Sequence, residues 1–342
     1  MNTVGLASLV RMGNCLCLKE IVNINGRTYC VRESLGEGGF STVDLVEDTL
    51  SHRLYALKRI TCHSPMDQKL ALCEVEYHSV LQHPNILTCS GSDLVGMPDM
   101  IGSKTSQVFL LLPYCPRGTL HEELVRRAPT NNYLDEGEVL RVFHSICLGV
   151  QHMHNSKPPL AHRDLKTANI LLKDDLTPLI MDLGSTCPAR VDVTSASEAR
   201  ILQDTAAERS CMTYRAPELF NVPTTCKVDE RTDVWSLGCL LHALCFFRTP
   251  YDAVHERGDS VALAVIAGKT NFPEGHPYSQ DVCELIVSLL QVEPEQRPFM
   301  DWVVESIARL IDARSSRGQR SAAAELDATT DIDITDDQTI IA

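Results

Sequence analysis

A short acidic stretch in the middle of the chain carries the residue types that phosphoryl transfer requires. It reads HRDLKTAN (162–169), and a second acidic motif, MDLG (181–184), follows it closely. The reaction needs a carboxylate to accept the proton of the attacking hydroxyl, ligands to hold Mg²⁺ on the phosphates, and a cation beside the moving group. Asp164 suits the first task and Lys166 the last. Asn169 and Asp182 are the candidate metal ligands. An isolated Asp in a loop is more often a turn residue, so this interpretation depends on the surrounding elements.

A glycine-rich turn near the N-terminus is a candidate phosphate-binding loop. Segments of alternating polarity, 29–35 and 42–47, flank it and predict a hairpin. Glycine lets backbone N–H groups approach phosphates with no side chain in the way. Such hairpins are common, but a strand with a central lysine, LYALKRI (54–60), follows this one and strengthens the interpretation. The candidate loop residues are Leu35, Gly36, Glu37, Gly38, Gly39, Phe40, Ser41, Thr42 and Val43.

Helical patterns begin after this strand and dominate the second half of the chain. SPMD (64–67) combines an N-cap serine, a proline at the first helical position and an acid at capping-box distance. A similar pair, Asp135 and Glu138, precedes a long helix that leads the chain to the 162–169 stretch. The apolar residues after SPMD recur at helical spacing and predict a buried stripe: Leu70, Cys73, Tyr77, Val80 and Leu81.

The segment from Asp182 to Glu218 is long for a structureless loop. It ends in the tripeptide APE (216–218). Within it, Ser195 and Glu198 form a capping-box pattern, and helix formers dominate residues 198–208. We therefore predict a helix inside this segment.

Taken together and in order, these motifs resemble those of the eukaryotic protein kinases over residues 28–312. HRDLKTAN resembles the kinase catalytic loop, DLG the metal-binding Asp-Phe-Gly, LYALK the lysine-bearing Val-Ala-Ile-Lys strand, and APE the end of the activation segment. Lys166, two residues after Asp164, is typical of serine/threonine kinases. GEGGFS (36–41), MDLGS (181–185) and the helix predicted in the activation segment are similar to the Numb-associated kinase family.

The resemblance implies an α+β, bilobal kinase fold, with a small β-rich N-lobe (28–114) and a larger helical C-lobe (116–312). It implies transfer of the γ-phosphate of ATP to protein serine or threonine hydroxyls with Mg²⁺ or Mn²⁺, and autophosphorylation. Lys58 would bind the α- and β-phosphates and pair with Glu74 on the first helix. Glu76, about 200° further round that helix, is the alternative partner.

The same resemblance identifies PYCPRG (113–118) as the hinge between the lobes, preceded by Leu112 as gatekeeper. Adenine would bond to the Pro113 carbonyl and the Cys115 N–H. Proline has no N–H to donate, but the first of these positions need only accept.

Two further contacts implied by the resemblance are structural. Asp233 would hold the backbone of the catalytic loop, and Arg297 would pair with Glu218. The alternative for these residues is ordinary helix capping and surface charge.

Three positions depart from the kinase pattern. Ser41 replaces the third glycine of the phosphate loop, and Leu183 replaces the phenylalanine of Asp-Phe-Gly. Cys211 stands where serine/threonine kinases usually place a threonine whose hydroxyl links the catalytic Asp and Lys, and a thiol is a poor donor. Ser210 and Thr213 are the neighbouring hydroxyls that would compensate.

Composition limits the partners and the compartment. The chain has 342 residues and a net charge of −14, which argues against nucleic acid as a main partner. Its 14 cysteines form no Cys-x-x-Cys pair, which favours reduced, packed thiols over a zinc site. No apolar run approaches the ~20 residues of a membrane span, and the N-terminus lacks the apolar core of a secretory signal.

The N-terminal tail (1–27) contains a candidate acylation motif, MGNCLC (12–17). If translation starts at Met12, Gly13 would be free for myristoylation, although Cys17 occupies the usual Ser/Thr position. Cys15 and Cys17 would supply a second anchor by palmitoylation. The resemblance then implies the cytoplasmic face of the Golgi or another internal membrane, besides the cytoplasm. A disordered tail with incidental cysteines is the alternative.

Two other classes compete with an active protein kinase. One is a pseudokinase scaffold, against which the joint presence of Lys58, Glu74, Asp164, Asn169 and Asp182 argues. The other is a small-molecule kinase, but APE and the helix after it are a platform for protein substrates. We expect a monomer, with a disordered acidic tail over residues 313–342.

Overall fold

Six antiparallel strands form the sheet of the N-lobe in the computed structural model, which describes residues 20–39, 41–96 and 105–330 and side chains up to residue 316. The spatial order of the strands is β1-β2-β3-β4-β6-β5. Their alternating side chains bury one apolar cluster that includes Ile24, Val46 and Leu57. The strands are β1 (Ile21–Ile24), β2 (Arg27–Glu37), β3 (Ser41–Asp48), β4 (Leu54–Cys62), β5 (Gly91–Val95) and β6 (Ser106–Pro113).

The sheet starts earlier than residue 28, which corrects the expected tail of 1–27. β1 pairs with β2 across Asn25-Gly26, both at positive φ. This is the two-residue hairpin that the Asn-Gly pair favours. Val22 and Ile24 are buried by it, so residues 20–27 belong to the N-lobe. Residues 1–19, which contain the acylation motif, lie outside the described part.

Helix α1 (Pro65–Val80) has the predicted start. Ser64 accepts from the Asp67 N–H at 3.1 Å, and Asp67 accepts from the Ser64 N–H at 3.0 Å. The predicted buried stripe was correct for Leu81, which is 1% exposed, and wrong for Val80, which is 58% exposed. Leu70, Cys73 and Tyr77 are half-buried, and the residues that α1 buries are Ala71, Glu74 and His78. Contacts of α1 with the sheet and the DLG motif override its apolar periodicity.

The C-lobe is helical around a fully buried α5. That helix carries an almost continuous apolar sequence and contacts α3 and α8. α3 starts at the capping box of Asp135 and Glu138, as predicted. The helices are α2 (Leu120–Arg127), α3 (Glu136–His154), α4 (Ala196–Arg209), α5 (Arg231–Phe246), α6 (Asp252–Glu256), α7 (Val261–Ile266), α8 (Gln280–Leu289) and α9 (Met300–Thr330).

Short strand pairs shape the loops between these helices. β7 (Leu160–Ala161) pairs with β10 (Cys187–Pro188), and β8 (Ile170–Leu172) pairs with β9 (Pro178–Ile180). β11 (Val191–Val193) pairs with β12 (Cys226–Val228). The β8–β9 pair brings the end of the catalytic loop beside the DLG motif, because it joins the chain just after Asn169 to the chain just before Met181.

The last helix corrects the predicted disorder of residues 313–330. α9 continues to Thr330 over an Ala-rich sequence of good helix formers. Arg314 extends the contact by bonding to Asp135 at 2.6 Å, at the start of α3. Polar composition alone suggested disorder, but the Ala-rich sequence favours a helix, and Arg314 ties the start of the segment to α3. Residues 331–342 lie outside the described part.

The cysteines in the described ranges are free thiols. No helix there is both long and apolar enough to cross a membrane.

Candidate active site

Asp164 lies at the centre of a hydrogen-bonded cluster in the cleft between the lobes. Its Oδ2 accepts from Lys166 Nζ at 2.7 Å and from Asn169 Nδ2 at 2.9 Å, and its Oδ1 accepts from the Cys211 N–H at 3.0 Å. A second bond from Asn169 Nδ2, to the Asp164 carbonyl, is 2.8 Å long. These donors fix the carboxylate in one orientation, as a proton acceptor in a reaction requires.

Asp233 holds the backbone of the catalytic loop, as the sequence indicated. It is fully buried, and its two oxygens accept from the His162 N–H at 2.7 Å and the Arg163 N–H at 2.9 Å. His154 Nε2 lies 3.0 Å from one of the same oxygens. Burial acts to raise the pKa of Asp233, but the hydrogen bond and charge of His154 outweigh it and the pKa is lowered. The loop is therefore anchored on an ionised carboxylate.

Lys58 bridges two carboxylates from opposite sides of the cleft. Its Nζ lies 2.7 Å from Glu74 Oε1 on α1 and 2.7 Å from Asp182 Oδ1 in the DLG motif. Glu76 is exposed, so the choice of Glu74 as the helical partner is confirmed. Gly184 permits the approach of α1, because a Cβ at that position would lie only 3.2 Å from Glu74 Oε2.

The pKa values in this triad follow from burial and charge. Burial acts to lower the pKa of Lys58, but the charges of Glu74 and Asp182 outweigh it and the pKa is raised. For Asp182 burial acts to raise the pKa, but Lys58 outweighs it and the pKa is lowered. Burial raises the pKa of Glu74 in spite of Lys58. Lys58 and Asp182 therefore hold their charges near neutral pH.

The metal ligands implied by the resemblance fit a divalent cation. The Asn169 amide nitrogen is engaged by Asp164, which leaves its Oδ1 as the atom able to bind a cation. The Asp182 side chain is 43% exposed, so its carboxylate is accessible from the cleft. Mg²⁺ is commonly held by one or two protein oxygens together with substrate phosphates and water. When bound, it would supply charge stabilisation for the phosphates. Within the described chain no group of three or more His, Cys, Asp or Glu residues could hold a metal by itself.

The glycine-rich loop is the tip of the β2–β3 hairpin. Gly36 pairs with Val43 and Glu37 with Thr42, and the Gly38 N–H donates to the Ser41 carbonyl at 2.7 Å. Gly38, Gly39 and Ser41 line the cleft together with Lys58 and the catalytic residues, around a cavity of about 610 Å³. Leu35 and Glu37 belong to β2, and Phe40 lies outside the described residues.

The hinge follows β6 directly. Pro113 pairs with Tyr55 of β4 at the end of the strand, and Leu112 before it is buried beside Ala56 and Cys115. Cys115 is half-buried, and burial raises the pKa of its thiol. The bonds expected from Pro113 and Cys115 to adenine stay predictions.

The activation segment contains the predicted helix. α4 starts at Ser195, whose side chain accepts from the Glu198 N–H at 3.3 Å. Glu198 itself bonds to Thr194, one residue before the predicted partner, at 2.8 Å. At the end of the segment Arg297 makes the expected bidentate pair with Glu218, at 2.8 and 2.6 Å.

Cys211 bonds to Asp164 through its backbone N–H and not through its thiol. The thiol lies 3.7 Å from Thr213 Oγ1, while the N–H bonds to Asp164. Neither neighbouring hydroxyl replaces the expected threonine: Ser210 Oγ donates to the Ala206 carbonyl at 2.7 Å and accepts from Arg215. A hydrogen bond from the main chain does not depend on the side chain, so the residue type at this position could not predict it.

Three side chains of the site were missed from the sequence. His154 bonds to Asp233, and Thr167 Oγ1 lies 3.1 Å from the Tyr214 hydroxyl, which ties the catalytic loop to the activation segment. Their partners lie 79 and 47 residues away in the chain. Sequence motifs relate residues that are close in the chain, so no motif could have predicted these two contacts.

We expect Lys58→Met to leave the domain folded and to lower phosphoryl transfer strongly, because the side chain that joins Glu74 to Asp182 is lost. Glu74→Gln should lower the rate in the same direction, since a neutral amide holds the ammonium less well. Glu76→Gln is the matched control on the exposed side of α1. Initial rates with a peptide substrate test this. A loss with Glu76→Gln but none with Glu74→Gln would contradict it.

The sheet, the hinge, the catalytic loop and the lysine–glutamate pair together define a protein kinase. The family model of the protein kinase domain matches residues 29–306. The chain belongs to this family.

Its relatives place it among the serine/threonine protein kinases. Serine/threonine-protein kinase 16 of Rattus norvegicus is 43% identical over 296 residues, which cover 86% of this chain and 94% of that protein. The protein of the same name from Homo sapiens is 42% identical with the same coverage. Serine/threonine-protein kinase ppk13 of Schizosaccharomyces pombe is 31% identical over 311 residues, which cover 82% of this chain and 89% of that protein.

Proposed function

We propose that this protein transfers the γ-phosphate of ATP to serine and threonine hydroxyls of proteins, with Mg²⁺ or Mn²⁺ on the phosphates, and that it autophosphorylates. We assign it to the Numb-associated group on its GEGGFS and MDLGS sequences and the helix in its activation segment. The observation that carries the proposed reaction is the fixed Asp164 carboxylate, with Lys166 at 2.7 Å and Asn169 at 2.9 Å from one oxygen.

Each of the active-site residues would have its own role in the reaction. A serine or threonine hydroxyl is a weak nucleophile, and Asp164 would orient it and take its proton as the bond to phosphorus forms. Lys166 would balance charge on the transferred group. Lys58 would fix the α- and β-phosphates, and Asn169 with Asp182 would hold the cation.

A phosphoryl-transfer assay on a peptide library tests the reaction. We expect the purified full chain, with labelled ATP and Mg²⁺, to label peptides that contain serine or threonine and to leave tyrosine-only peptides unlabelled. If the protein bound ATP but transferred no phosphate, it would be a pseudokinase scaffold and not an active kinase. Transfer to small molecules but not to peptides would indicate a small-molecule kinase.

The membrane association is a separate proposal. We propose that a form starting at Met12 is myristoylated on Gly13 and palmitoylated on Cys15 and Cys17, and resides on the cytoplasmic face of the Golgi or another internal membrane as well as in the cytoplasm. It is supported by the MGNCLC sequence. One myristoyl chain gives only reversible binding, so the cysteines would supply the second anchor.

Labelled myristate should enter the form that starts at Met12, and Gly13→Ala should abolish the incorporation because the acceptor glycine is lost. Cys15→Ser with Cys17→Ser is the matched control: it should keep the myristate but move the protein from the membrane fraction to the soluble one. Equal labelling of the Gly13→Ala form would contradict the proposal.

A further inference from the structure

Arg215 caps the C-terminal end of α4 with its side chain. It is 7% exposed, and its Nη2 donates to the carbonyls of Ala207 at 3.3 Å and Ser210 at 3.0 Å. Its Nε donates to Ser210 Oγ at 2.9 Å. The last carbonyls of a helix have no partners within the helix, and an arginine near that end can bond to them. The turn that follows α4 is therefore held by one guanidinium group.

No carboxylate in the described ranges pairs with this guanidinium group. Burial lowers the pKa of Arg215, although an arginine stays protonated at neutral pH. Its guanidinium carbon lies 5.0 Å from the ring centroid of Phe220, which is a cation–π distance. A buried charge is costly unless it is hydrogen-bonded, so the cation depends on the carbonyls and the hydroxyl that accept from it. The positions of the guanidinium group and of the turn are therefore coupled.

The peptide group between Ser210 and Cys211 links Arg215 to the catalytic carboxylate. Its carbonyl oxygen accepts from Arg215 Nη2 at 3.0 Å, and its N–H donates to Asp164 Oδ1 at 3.0 Å. This peptide group is trans and planar, so its C=O and N–H point in opposite directions. A donor that fixes the carbonyl therefore also fixes the direction of the N–H. Hydrogen bonds in a chain polarise one another, so the first bond also strengthens the second.

Two other hydrogen bonds hold the same turn at neighbouring atoms. Ser185 Oγ, one residue after the DLG glycine, donates to the Arg209 carbonyl at 3.0 Å. Ser210 Oγ donates to the Ala206 carbonyl at 2.7 Å. Both bonds stabilise the end of α4, but neither is made to the peptide group that bonds to Asp164. Arg215 is the donor on that group itself.

The N–H of residue 211 matters because the side chain there is a thiol, which is a weak donor. Serine/threonine kinases usually have a threonine hydroxyl at this position. Here Asp164 Oδ2 accepts from Lys166 and Asn169, while Oδ1 accepts from the Cys211 N–H. If the peptide group turned, Oδ1 would lose this donor and the carboxylate would be held on one side.

We propose that Arg215 is a positioning residue for phosphoryl transfer. By holding the Ser210 carbonyl it directs the Cys211 N–H at Asp164, and so fixes the carboxylate that accepts the proton of the substrate hydroxyl. Arg215 does not line the nucleotide cleft, so it acts through this peptide group and not on ATP. The inference rests on the proposed kinase activity and adds a residue to its machinery.

Arg215→Met removes the donors and keeps a long, unbranched side chain. At saturating peptide, kcat should fall by roughly tenfold or more, as expected for a lost hydrogen bond to a charged group, and KM for ATP should not change. Arg200→Met is the matched control on the same helix, because the Arg200 side chain is 85% exposed and its contact with Asp204 is 3.6 Å long. A folded Arg215→Met protein with the wild-type kcat, or with a change in KM for ATP alone, would overturn the proposal.

Cys211→Thr separates positioning from a general loss of stability, because it supplies the missing hydroxyl. In the Cys211→Thr background, Arg215→Met should lower kcat by a smaller factor than in the wild-type background, since the hydroxyl can donate to Asp164 in place of the misdirected N–H. Residues that act through one contact give such non-additive effects. Thermal melting of the four proteins measures the stability changes separately. Equal losses of kcat in both backgrounds would show that the two residues act independently and would overturn the proposal.

The amide resonance of Cys211 tests the contact without any catalysis. In the full chain labelled with ¹⁵N-cysteine, it is the signal that Cys211→Ser removes. We expect Arg215→Met to shift its proton resonance upfield, because the hydrogen bond to the carboxylate weakens, and Arg200→Met to leave it in place. An unchanged Cys211 signal in folded Arg215→Met protein would overturn the proposal. A wild-type protein without phosphoryl transfer would contradict the proposed function instead, and the amide signal would still show whether Arg215 directs this N–H.

Discussion

Asp182→Asn is expected to lower phosphoryl transfer by roughly a thousandfold or more, since a catalytic cation contributes several kcal/mol of charge stabilisation. The amide has nearly the same volume but no negative charge for the cation. It also holds Lys58 less firmly, although that ammonium keeps Glu74 at 2.7 Å as a partner. The fold should therefore survive while the phosphates lose their cation.

The measurement is the initial rate of peptide phosphorylation over a range of Mg²⁺ concentrations, together with thermal melting. Asp192→Asn is a matched control, because Asp192 is 72% exposed and its contact with Lys227 is 3.7 Å long. Exposed pairs of this kind contribute little. A folded Asp182→Asn protein with near wild-type activity would remove Asp182 from the site.

Local chemistry accounts for much of what the sequence predicted correctly. The starts of α1, α3 and α4 follow from capping residues, whose hydrogen bonds reach only two to four positions along the chain. Such signals survive folding unchanged, because distant parts of the chain do not alter them. The active-site residues could also be predicted from the sequence, since phosphoryl transfer can use only a few residue types at these positions.

The buried face of a helix and the residue at which a helix ends were harder to predict. Periodicity predicted that Val80 lies on the buried face of α1. In the structure Glu74, which pairs with Lys58, is buried together with Ala71 and His78, and Val80 is exposed. Composition suggested a disordered segment after residue 312, but α9 continues as a helix to Thr330, and Arg314 bonds to Asp135 at the start of α3. In both cases an ion pair between residues far apart in the chain accompanies the difference from the prediction.

Backbone contacts are invisible in a list of residue types. The sequence showed that Cys211 lacks the expected hydroxyl, and it suggested Ser210 or Thr213 as a substitute. The structure meets the need with the Cys211 N–H, which any residue but proline could supply. Although position 211 has no hydroxyl, the Asp164 carboxylate still has three donors, from Lys166, Asn169 and Cys211.

Asp164→Asn is expected to reduce phosphoryl transfer by a factor on the order of 10²–10⁴, because the amide cannot accept the proton of the substrate hydroxyl. Three side-chain and main-chain donors surround the carboxylate, from Lys166, Asn169 and Cys211. An amide oxygen can satisfy the first two, but its NH₂ group then meets the Cys211 N–H. That mismatch should cost about 1–3 kcal/mol of stability, since a buried donor is left without an acceptor.

ATP should still bind to this variant, because the contacts expected for adenine and phosphates come from the hinge, the glycine loop, Lys58 and Asp182. The experiment therefore pairs single-turnover rates with a direct measurement of ATP affinity and with thermal melting. Lost transfer with retained ATP binding is the result expected of a missing base. Full autophosphorylation by Asp164→Asn would show that another group accepts the proton, while loss of ATP binding would show that Asp164 supports the cleft rather than the reaction.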